Sequence, residues 1–389
     1  MLVKYNFDEI VDRNNTNCEK YDSRKAIFGN KNVIPMWVAD TDFRTPDFIV
    51  DAVKKRAAHE VYGYPQKPTS YYHSIQGWLK RQHQWEVETD AIIFSPNVVV
   101  GLASLVLSLT NPGDKIIVQP PVYFPFFHVI ESNDRVVVEN PLVNKNGRYH
   151  FDFDDLKSKI DADTKMLLLC NPHNPGGMVW TLDELTELGK ICIENNIIVV
   201  SDEIHADLVF PEYQHIPFAS ISDQFAQSSV VLMAASKTFN MTGLSSSFVV
   251  ISNPDLKLAY NKLMRGTHLS SGNFFGYVAT EAAFTHGDEW LSQLITYLEG
   301  NRDYLEKYIA ENIPALKVMH TEATYLSWID LSGLGLNIND AFQKLIDQGV
   351  GLSIGNMFGT GGENFVRLNF GCPRNVLVQG LEIMKKAFV

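Results

Sequence analysis

Short apolar runs alternate with longer amphipathic stretches from about residue 91 to residue 251. The runs are rich in β-branched residues and cover 91–94, 115–119, 135–139, 165–170, 197–201, 229–234 and 247–251. Runs that are apolar on both faces are typical of strands in a sheet that helices cover on each side. The pattern therefore predicts an α/β fold, a three-layer sandwich around a mainly parallel central sheet.

The stretches between these runs have the spacing of helices. Thr181 and Glu184 form a capping box ahead of the periodic segment 182–194, which ends at the pair Asn195 and Asn196 before the next strand. Such alternation of strand and helix is βαβ order, and it predicts one large domain over residues 46–285.

After about residue 285 the pattern changes. We expect a long helix at 289–310, then strands at 316–319, 324–329 and 365–370 and helices at 338–348 and 376–388. These elements predict a smaller α+β domain over residues 286–389, and 389 residues are enough for two domains. Residues 1–45 are rich in Asn, Asp and Pro, and we expect them to form an arm that packs on the small domain or on a partner subunit.

Composition narrows the class of protein. Hydrophobic residues make up 45% of the chain and charged residues 20%, which indicates a globular protein. The net charge of −12, with no basic patch, argues against nucleic acid as a partner. The apolar segments are shorter than the roughly 20 residues that span a bilayer, and the acidic N-terminal stretch does not resemble a signal peptide. We therefore expect no membrane association.

Cysteine and histidine spacing adds two further expectations. The four cysteines are scattered without C-x-x-C spacing, which favours a reducing compartment and therefore the cytoplasm. The eleven histidines include no H-x-x-x-H or H-E-x-x-H pair, so no metal site is predicted.

Four short segments carry the candidate chemistry, and each follows or overlaps a predicted strand. They are Asn171-Pro-His-Asn-Pro-Gly-Gly177, Ser201-Asp-Glu-Ile-His205, Ala235-Ser-Lys-Thr-Phe239 and Phe365-Val-Arg-Leu-Asn-Phe370. In an open α/β sheet the ligand site lies beyond the carboxyl ends of the strands, so we expect these segments to converge.

The order of these segments resembles that of the fold type I pyridoxal-phosphate enzymes, the class I/II aminotransferase superfamily, over nearly the whole chain. Within that superfamily, Met36-Trp-Val-Ala-Asp-Thr-Asp-Phe43, Asn171–Gly177 and Ser201-Asp-Glu-Ile-His-Ala-Asp207 are more similar to the cystathionine β-lyase or C–S lyase branch than to true aminotransferases. The resemblance implies pyridoxal 5'-phosphate as the cofactor and a homodimer with shared active sites.

The resemblance implies roles for Lys237 and Asp202. Lys237 would capture the cofactor aldehyde and later move the Cα proton, for which burial beside another cation supplies a neutral, nucleophilic amine. Asp202 would pair with the protonated pyridine nitrogen and so keep the ring an electron sink. Taken alone, Lys237 would be interpreted as a surface lysine and Asp202 as a turn residue. Their place among the four segments favours the cofactor roles.

Four further side chains would surround the ring. The resemblance implies that Asn174 and His205 lie at the phenolic oxygen, where transaminases usually carry a tyrosine at the second position. Tyr123 would stack on the pyridine ring, and Tyr64 would reach the phosphate from the neighbouring subunit. Core packing or turn chemistry is the simpler interpretation of either tyrosine by itself.

The phosphate site departs from the superfamily pattern. Val98 and Val99 begin a predicted helix just after a strand, so their backbone amides can bind a phosphate, and Ser236 is a further candidate. However, Ala234 stands where a phosphate-binding serine is usual, and Ser245 where an arginine is usual. We expect a weaker phosphate site, unless Ser236, Ser246 or Lys262 supplies the missing contact.

Arg367 is the candidate for the substrate's α-carboxylate, because its planar guanidinium matches a carboxylate with two parallel hydrogen bonds. Backbone amides near Ala39, with Trp37 beside them, are expected to complete this pocket. An exposed arginine at the edge of a sheet is the alternative.

These roles predict a carbon–sulfur β-lyase that cleaves L-cystathionine or L-cysteine by α,β-elimination to a thiol, pyruvate and ammonia. An aminotransferase acting on an amino acid is the nearest alternative. A lyase with a second role, binding a transcription regulator through its surface, is another.

Overall fold

The computed structural model describes residues 4–389, so residues 1–3 of the predicted N-terminal arm lie outside the described part. Its strands are β1 (Ile34–Pro35), β2 (Ile92–Ser95), β3 (Lys115–Val118), β4 (Val136–Glu139), β5 (Val143–Lys145), β6 (Arg148–His150), β7 (Thr164–Cys170), β8 (Ile198–Asp202), β9 (Ser229–Met233), β10 (Ser247–Val250), β11 (Lys317–Val318), β12 (Leu326–Asp330), β13 (Val350–Gly351), β14 (Ser353–Ile354) and β15 (Phe365–Asn369). Its helices are α1 (Glu19–Asp22), α2 (Arg24–Phe28), α3 (Asp47–Ala57), α4 (Thr69–His83), α5 (Val98–Leu109), α6 (Pro125–Glu131), α7 (Phe153–Lys159), α8 (Leu182–Glu194), α9 (Asp223–Ser228), α10 (Pro254–Gly266), α11 (Phe274–His286), α12 (Asp288–Asn312), α13 (Ile338–Gln348) and α14 (Arg374–Phe388).

A seven-stranded sheet forms the centre of the molecule, in the order β2-β10-β9-β8-β7-β3-β4. β10 is antiparallel to both of its neighbours, and every other pair is parallel. All seven strands coincide, within a residue at either end, with the apolar runs of the sequence. The predicted α/β class with a mainly parallel sheet is confirmed.

The two faces of this sheet carry alternate residues of each strand. On one face Met166 and Leu168 of β7 join the apolar cluster that contains α5, and on the other face Leu167 and Leu169 join the cluster that contains α8. All four are fully buried, and burying each such side chain stabilises the fold by about 1.5–3 kcal/mol. A strand between two helical layers therefore needs a continuous apolar run, which is the pattern that the sequence shows.

A second sheet of four antiparallel strands, β11-β12-β15-β14, lies with α12, α13 and α14 in the C-terminal part of the chain. The N-terminal arm reaches the same part, because β1 pairs with β13 and Phe7 packs on Trp290 of α12. The largest apolar cluster includes both Phe94 of the central sheet and Leu368 of the second sheet. The division at residues 45 and 285 stays a prediction.

The register of the central sheet places the candidate segments side by side. Cys170 at the end of β7 is opposite Asp202 at the end of β8, and Asp202 is opposite Leu232 near the end of β9. Segments 171–177, 203–207 and 234–239 thus leave the sheet at one edge, which is where ligand sites form in open α/β sheets. Within residues 4–389, no helix is both long and apolar enough to cross a membrane.

Candidate active site

One cavity lies at this edge of the central sheet. Of the twelve residues predicted to hold the cofactor or the substrate, nine line it: Ala39, Val98, Val99, Tyr123, Asn174, Asp202, His205, Ser236 and Lys237. Three do not. Arg367 lies behind Asn174, Trp37 contacts Arg367 through its backbone carbonyl, and Tyr64 is fully exposed.

Lys237 follows β9 and points its amine into the cavity wall. Its Nζ donates to the carbonyl of Ala39 at 2.6 Å, across 198 positions of the chain. Burial lowers the pKa of Lys237 to about 8; the nearby Asp40 opposes this shift and Arg367 reinforces it. About a tenth of the amine is therefore neutral at pH 7, far more than for an exposed lysine, and the neutral form is the one that attacks carbonyl groups.

Asp202 ends β8 inside the cavity and is 3% exposed. Burial raises its pKa to about 7, although the backbone N–H of Ile204 donates to Oδ1 at 3.1 Å and stabilises the anion. A buried carboxylate with one short hydrogen bond is destabilising until it meets a cation or another donor. Asp202 is therefore suited to a ligand that brings a protonated nitrogen.

Replacing Asp202 by Asn is expected to stabilise the ligand-free protein at pH 8. Because the folded-state pKa of about 7 exceeds the unfolded value of roughly 3.9, the folded state binds more protons between these pH values, and stability falls as the pH rises through them. About three pKa units correspond to ~4 kcal/mol at pH 8 and much less at pH 4. Urea unfolding of both proteins at pH 4.5 and pH 8 measures the difference; an equal difference at both pH values would contradict the prediction.

Arg367 in β15 is 4% exposed and, among the described residues, has no carboxylate within ion-pair distance. Its Nη1 donates to Asn174 Oδ1 and its Nη2 to the carbonyl of Trp37, both at 2.9 Å, while its Nε has no partner. Burial lowers the pKa of Arg367 to about 10, so the group remains charged at neutral pH. A buried guanidinium with unused N–H groups is suited to an anionic ligand.

The bond from Arg367 also orients Asn174. Because Asn174 Oδ1 accepts from the guanidinium, its amide nitrogen is the atom left to donate elsewhere. The main chain of the same residue is fixed as well, since its N–H donates to Cys170 Sγ at 3.3 Å. Asn174 thus presents a donor whose direction depends on the arginine behind it.

His205 and Tyr123 are neutral groups in the cavity wall. Burial holds the pKa of His205 well below its usual range, and its Nδ1 is buried with no hydrogen-bond partner. Burial raises the pKa of Tyr123 to about 12, so its phenol stays protonated. Both side chains can therefore contact a ligand without adding charge.

The helix end of the cavity offers only neutral donors. Asn97 caps α5 by accepting from the N–H of Val100 at 2.8 Å, which leaves the amides of Val98 and Val99 free of helical bonds. Hydroxyl groups of Ser236, Thr242 and Ser246 are in the same wall. Lys237 is the one basic side chain among the lining residues, and the exposed Lys262 is not among them.

Asp40 lies next to Ala39 and belongs to a buried ion network. Arg13 donates to Asp40 Oδ2 and to Asp42 Oδ1, each at 2.6 Å, and Lys20 Nζ donates to Asp42 Oδ2 at 3.0 Å. Burial alone would raise the pKa of Asp40, but the bond from Arg13 and the charge of Lys20 outweigh it and lower the pKa. The arm therefore keeps Asp40 charged, and Asp40 in turn raises the pKa of Lys237 against the effect of burial.

Some residues of the site were not predicted from the sequence. Cys170, Thr242 and Ser247 line the cavity, and Tyr325 donates its hydroxyl to the carbonyl of Ala39 at 3.0 Å. The expected carboxylate pocket of amides near Ala39 differs too: what residue 39 presents to Lys237 is its carbonyl, and the Trp37 indole donates to the Lys20 carbonyl. The run of hydroxyl residues at 245–247 was the sequence signal that could have indicated Ser247.

The cavity fits pyridoxal phosphate at each of its functional groups. Lys237 supplies an amine for the aldehyde, and Asp202 an anion for the ring nitrogen. His205 Nδ1 and the Asn174 amide are unused at the position expected for the phenolic oxygen. Free amides at the start of α5 suit a phosphate, because a helix N-terminus stabilises an anion.

Comparisons with known proteins agree with this arrangement. Cystathionine beta-lyase PatB of Bacillus subtilis is 41% identical over 384 residues, which are 98% of this chain and 99% of that protein. The PLP-bound putative aminotransferase of Clostridium difficile 630 superposes with a TM-score of 0.97 at 42% identity, covering 99% of this chain and 100% of its own. Cystalysin of Treponema denticola, whose crystal structure contains pyridoxal 5'-phosphate, superposes with a TM-score of 0.96 at 34% identity, covering 99% of both chains.

The family model for aminotransferase class I and II matches residues 31–383, which is most of the chain. The resemblance that the four segments indicated is thereby confirmed. The chain belongs to the class I and II aminotransferase family.

Proposed function

We propose that the chain is a pyridoxal-phosphate-dependent carbon–sulfur β-lyase, which cleaves L-cystathionine or L-cysteine by α,β-elimination to a thiol, pyruvate and ammonia. The observation that carries this proposal is the cavity, in which a buried amine, a buried carboxylate and a buried guanidinium without a carboxylate partner lie together. The similarity to PatB, which is named a cystathionine beta-lyase, and to a protein of Staphylococcus hominis that is named a C-S lyase supports the same reaction.

When bound, the cofactor supplies an electron sink that stabilises negative charge at the substrate Cα. We assign its aldehyde to Lys237, its ring nitrogen to Asp202, and its phenolic oxygen to Asn174 and His205. Its phosphate is assigned to the amides of Val98 and Val99 with the hydroxyl of Ser236, and its ring face to Tyr123.

The chain's own residues have separate roles in the reaction. Arg367 binds the substrate α-carboxylate and so fixes the direction of the Cα–H bond. Holding reacting groups in a fixed geometry can account for a large part of an enzyme's rate enhancement. Lys237 removes the Cα proton with its neutral amine, whose pKa of about 8 suits a base at neutral pH. Asp202 keeps a proton on the ring nitrogen. His205, held neutral by burial, adds no charge beside the phenolic oxygen.

Lyase activity is favoured over transamination by the neutral phosphate site. An aminotransferase must retain its cofactor with no covalent link to the lysine or to the substrate halfway through its reaction, whereas an elimination can proceed with the cofactor linked to one of the two nearly throughout. A site with backbone amides and hydroxyl groups, and no lysine or arginine at the helix end among its lining residues, holds a phosphate less strongly than one with a guanidinium. This weaker site is more tolerable in a lyase.

Product analysis tests the proposed reaction. The purified protein with cofactor is expected to release a thiol and pyruvate in equal amounts from L-cystathionine, measured with a thiol reagent and a pyruvate assay. From L-cysteine it is expected to release sulfide and pyruvate in equal amounts, measured with a sulfide-specific assay and the same pyruvate assay. The same protein with an amino donor and an oxo acid is expected to transaminate more slowly. Faster transamination than pyruvate release would assign it to the aminotransferases instead.

We further propose a homodimer in the cytoplasm, in which Tyr64 of each subunit reaches the phosphate of the other. Tyr64 is 102% exposed, and Val61 and Tyr62 of the same segment are more than half exposed, so three large side chains are available to a partner subunit. The four cysteines, Cys18, Cys170, Cys192 and Cys372, are unpaired thiols, which is compatible with a reducing compartment.

Mixing two defective subunits tests the shared site. At limiting cofactor, a Lys237→Ala subunit mixed with a Tyr64→Phe subunit is expected to recover up to about a quarter of the wild-type activity, because half of the dimers are mixed and each has one intact site. Activity no higher than the average of the two separate variants would contradict sharing.

A further inference from the structure

A buried carboxylate behind the cavity wall accepts hydrogen bonds from three residues. Asp207 Oδ1 accepts from Trp78 Nε1 at 2.9 Å and from His83 Nε2 at 2.8 Å, and Oδ2 accepts from Thr238 Oγ1 at 2.8 Å. The Asp207 side chain is 6% exposed, and a carboxylate at that depth is destabilising unless it is hydrogen-bonded. These three donors fix its position.

Thr238 is the residue that follows Lys237, and it is held from two sides. Its hydroxyl is bound by Asp207, and its carbonyl accepts from Trp290 Nε1 of α12 at 3.2 Å. It is 2% exposed and does not line the cavity. The backbone at this position therefore cannot rotate without breaking one of two buried hydrogen bonds.

We infer that Asp207 is a positioning residue for Lys237, which acts by fixing Thr238 and thereby the direction in which the lysine side chain leaves the backbone. This inference rests on the proposed function, because the direction of the amine matters only if Lys237 reacts. A displacement of about 1 Å at a reacting group can cost on the order of a hundredfold in rate.

A second buried carboxylate in the same segment provides the contrast. Glu203 accepts from Ser201 Oγ, from the N–H of Phe218 and from His215 Nε2, each at 2.8 Å. Its donors do not adjoin Lys237 in the chain. Both carboxylates stabilise the fold through their bonds, but Asp207 alone of the two is linked to the residue beside the reactive amine.

Thr238→Val tests the inference because it removes the hydroxyl and keeps the shape of the side chain. Thr238→Ser keeps the hydroxyl and is expected to behave as the wild type. The matched control is Thr164→Val, since Thr164 Oγ1 donates to Asp161 Oδ1 at 3.1 Å at the opposite end of β7 and is also buried. Trp290→Phe removes the other anchor of Thr238 and serves as an independent variant.

Two measurements separate positioning from stability. The first is the rate at which the cofactor-free protein takes up pyridoxal phosphate, followed by its visible absorbance, and the second is the split between kcat and KM. Thr238→Val is expected to slow uptake and to lower kcat by about tenfold or more, with KM within about twofold. Trp290→Phe should act in the same direction, whereas Thr238→Ser and Thr164→Val should stay within about twofold of the wild type.

The results for these variants either support or overturn the inference about Asp207. Uptake and kcat of Thr238→Val within about twofold of the wild type overturn the inference, as does an equal loss in Thr164→Val. If Thr238→Val does not fold, the comparison of Asp207→Ala with Glu203→Ala decides in the same way, because only the first removes the bond to Thr238. A wild-type protein that takes up no aldehyde would refute the proposed function itself. A wild type and a variant that take up the aldehyde equally fast would refute only the role of Asp207.

Discussion

Lys237→Ala is expected to abolish uptake of pyridoxal phosphate as a covalent adduct and to lower turnover by about 10⁴-fold or more, because one residue serves both as the nucleophile and as the base. In the wild type, the uptake rate should rise with pH around a midpoint near 8, since burial lowers the pKa of this amine to about 8. Borohydride reduction followed by peptide mapping, with initial rates at several pH values, measures both effects.

The control for this variant is Lys262→Ala, which removes an exposed lysine outside the cavity and should leave uptake and turnover unchanged. Reduction products that map to another lysine in the wild type would contradict the assignment. So would an uptake midpoint above pH 10, which is the behaviour of an ordinary exposed lysine.

Arg367→Lys is expected to lower kcat/KM for the amino-acid substrate by about 10²-fold, mainly through KM. Lysine keeps the charge but cannot make two parallel bonds to a carboxylate, and one charge-assisted hydrogen bond is worth roughly 1.5–3 kcal/mol. The variant should also weaken cofactor binding slightly, because Arg367 orients Asn174. Steady-state kinetics and cofactor titration measure the two effects.

Two comparisons test whether the loss of kcat/KM in Arg367→Lys is specific to the substrate carboxylate. Arg135→Lys is the matched control, since Arg135 is buried and donates to Thr110 Oγ1 at 2.9 Å in another part of the chain. A substrate analogue that has the amine and the thioether but no carboxylate should be turned over equally by the wild type and by Arg367→Lys. An equal loss with that analogue would show that the arginine does not recognise the carboxylate.

Local sequence patterns predicted the elements of the fold well. The helix over 182–194, with the capping box of Thr181 and Glu184, and the helix over 338–348 have the expected bounds. Amphipathic spacing and capping depend on residues three or four apart, so a single stretch of chain contains the whole signal. Strand ends were harder to predict, because the last paired residue depends on the neighbouring strand.

The sequence predicted which residues belong to the site, but not which of them contact one another. Motif order placed Lys237, Asp202 and Asn174 together, but no local pattern indicates that Arg367 binds Asn174 across 193 positions or that Asp40 lies near the lysine. Trp37, which was expected beside the carboxylate pocket, packs its ring on Phe28 and accepts from Arg367 through its backbone carbonyl. Such contacts depend on tertiary packing, which periodicity does not encode.

The ion network of Arg13, Lys20 and Asp40 has a practical consequence for anyone who expresses or trims this protein. The described part of the arm looks dispensable when the sheet alone is considered, yet it keeps Asp40, the anion beside the reactive amine, in its charged form. Cutting the chain behind position 20 would remove Arg13 and Lys20, which keep Asp40 charged, and would thereby change the acidity of Lys237; it would also remove Phe7 from its packing on Trp290. Boundaries chosen for crystallisation or fusion should therefore include the entire beginning of the polypeptide.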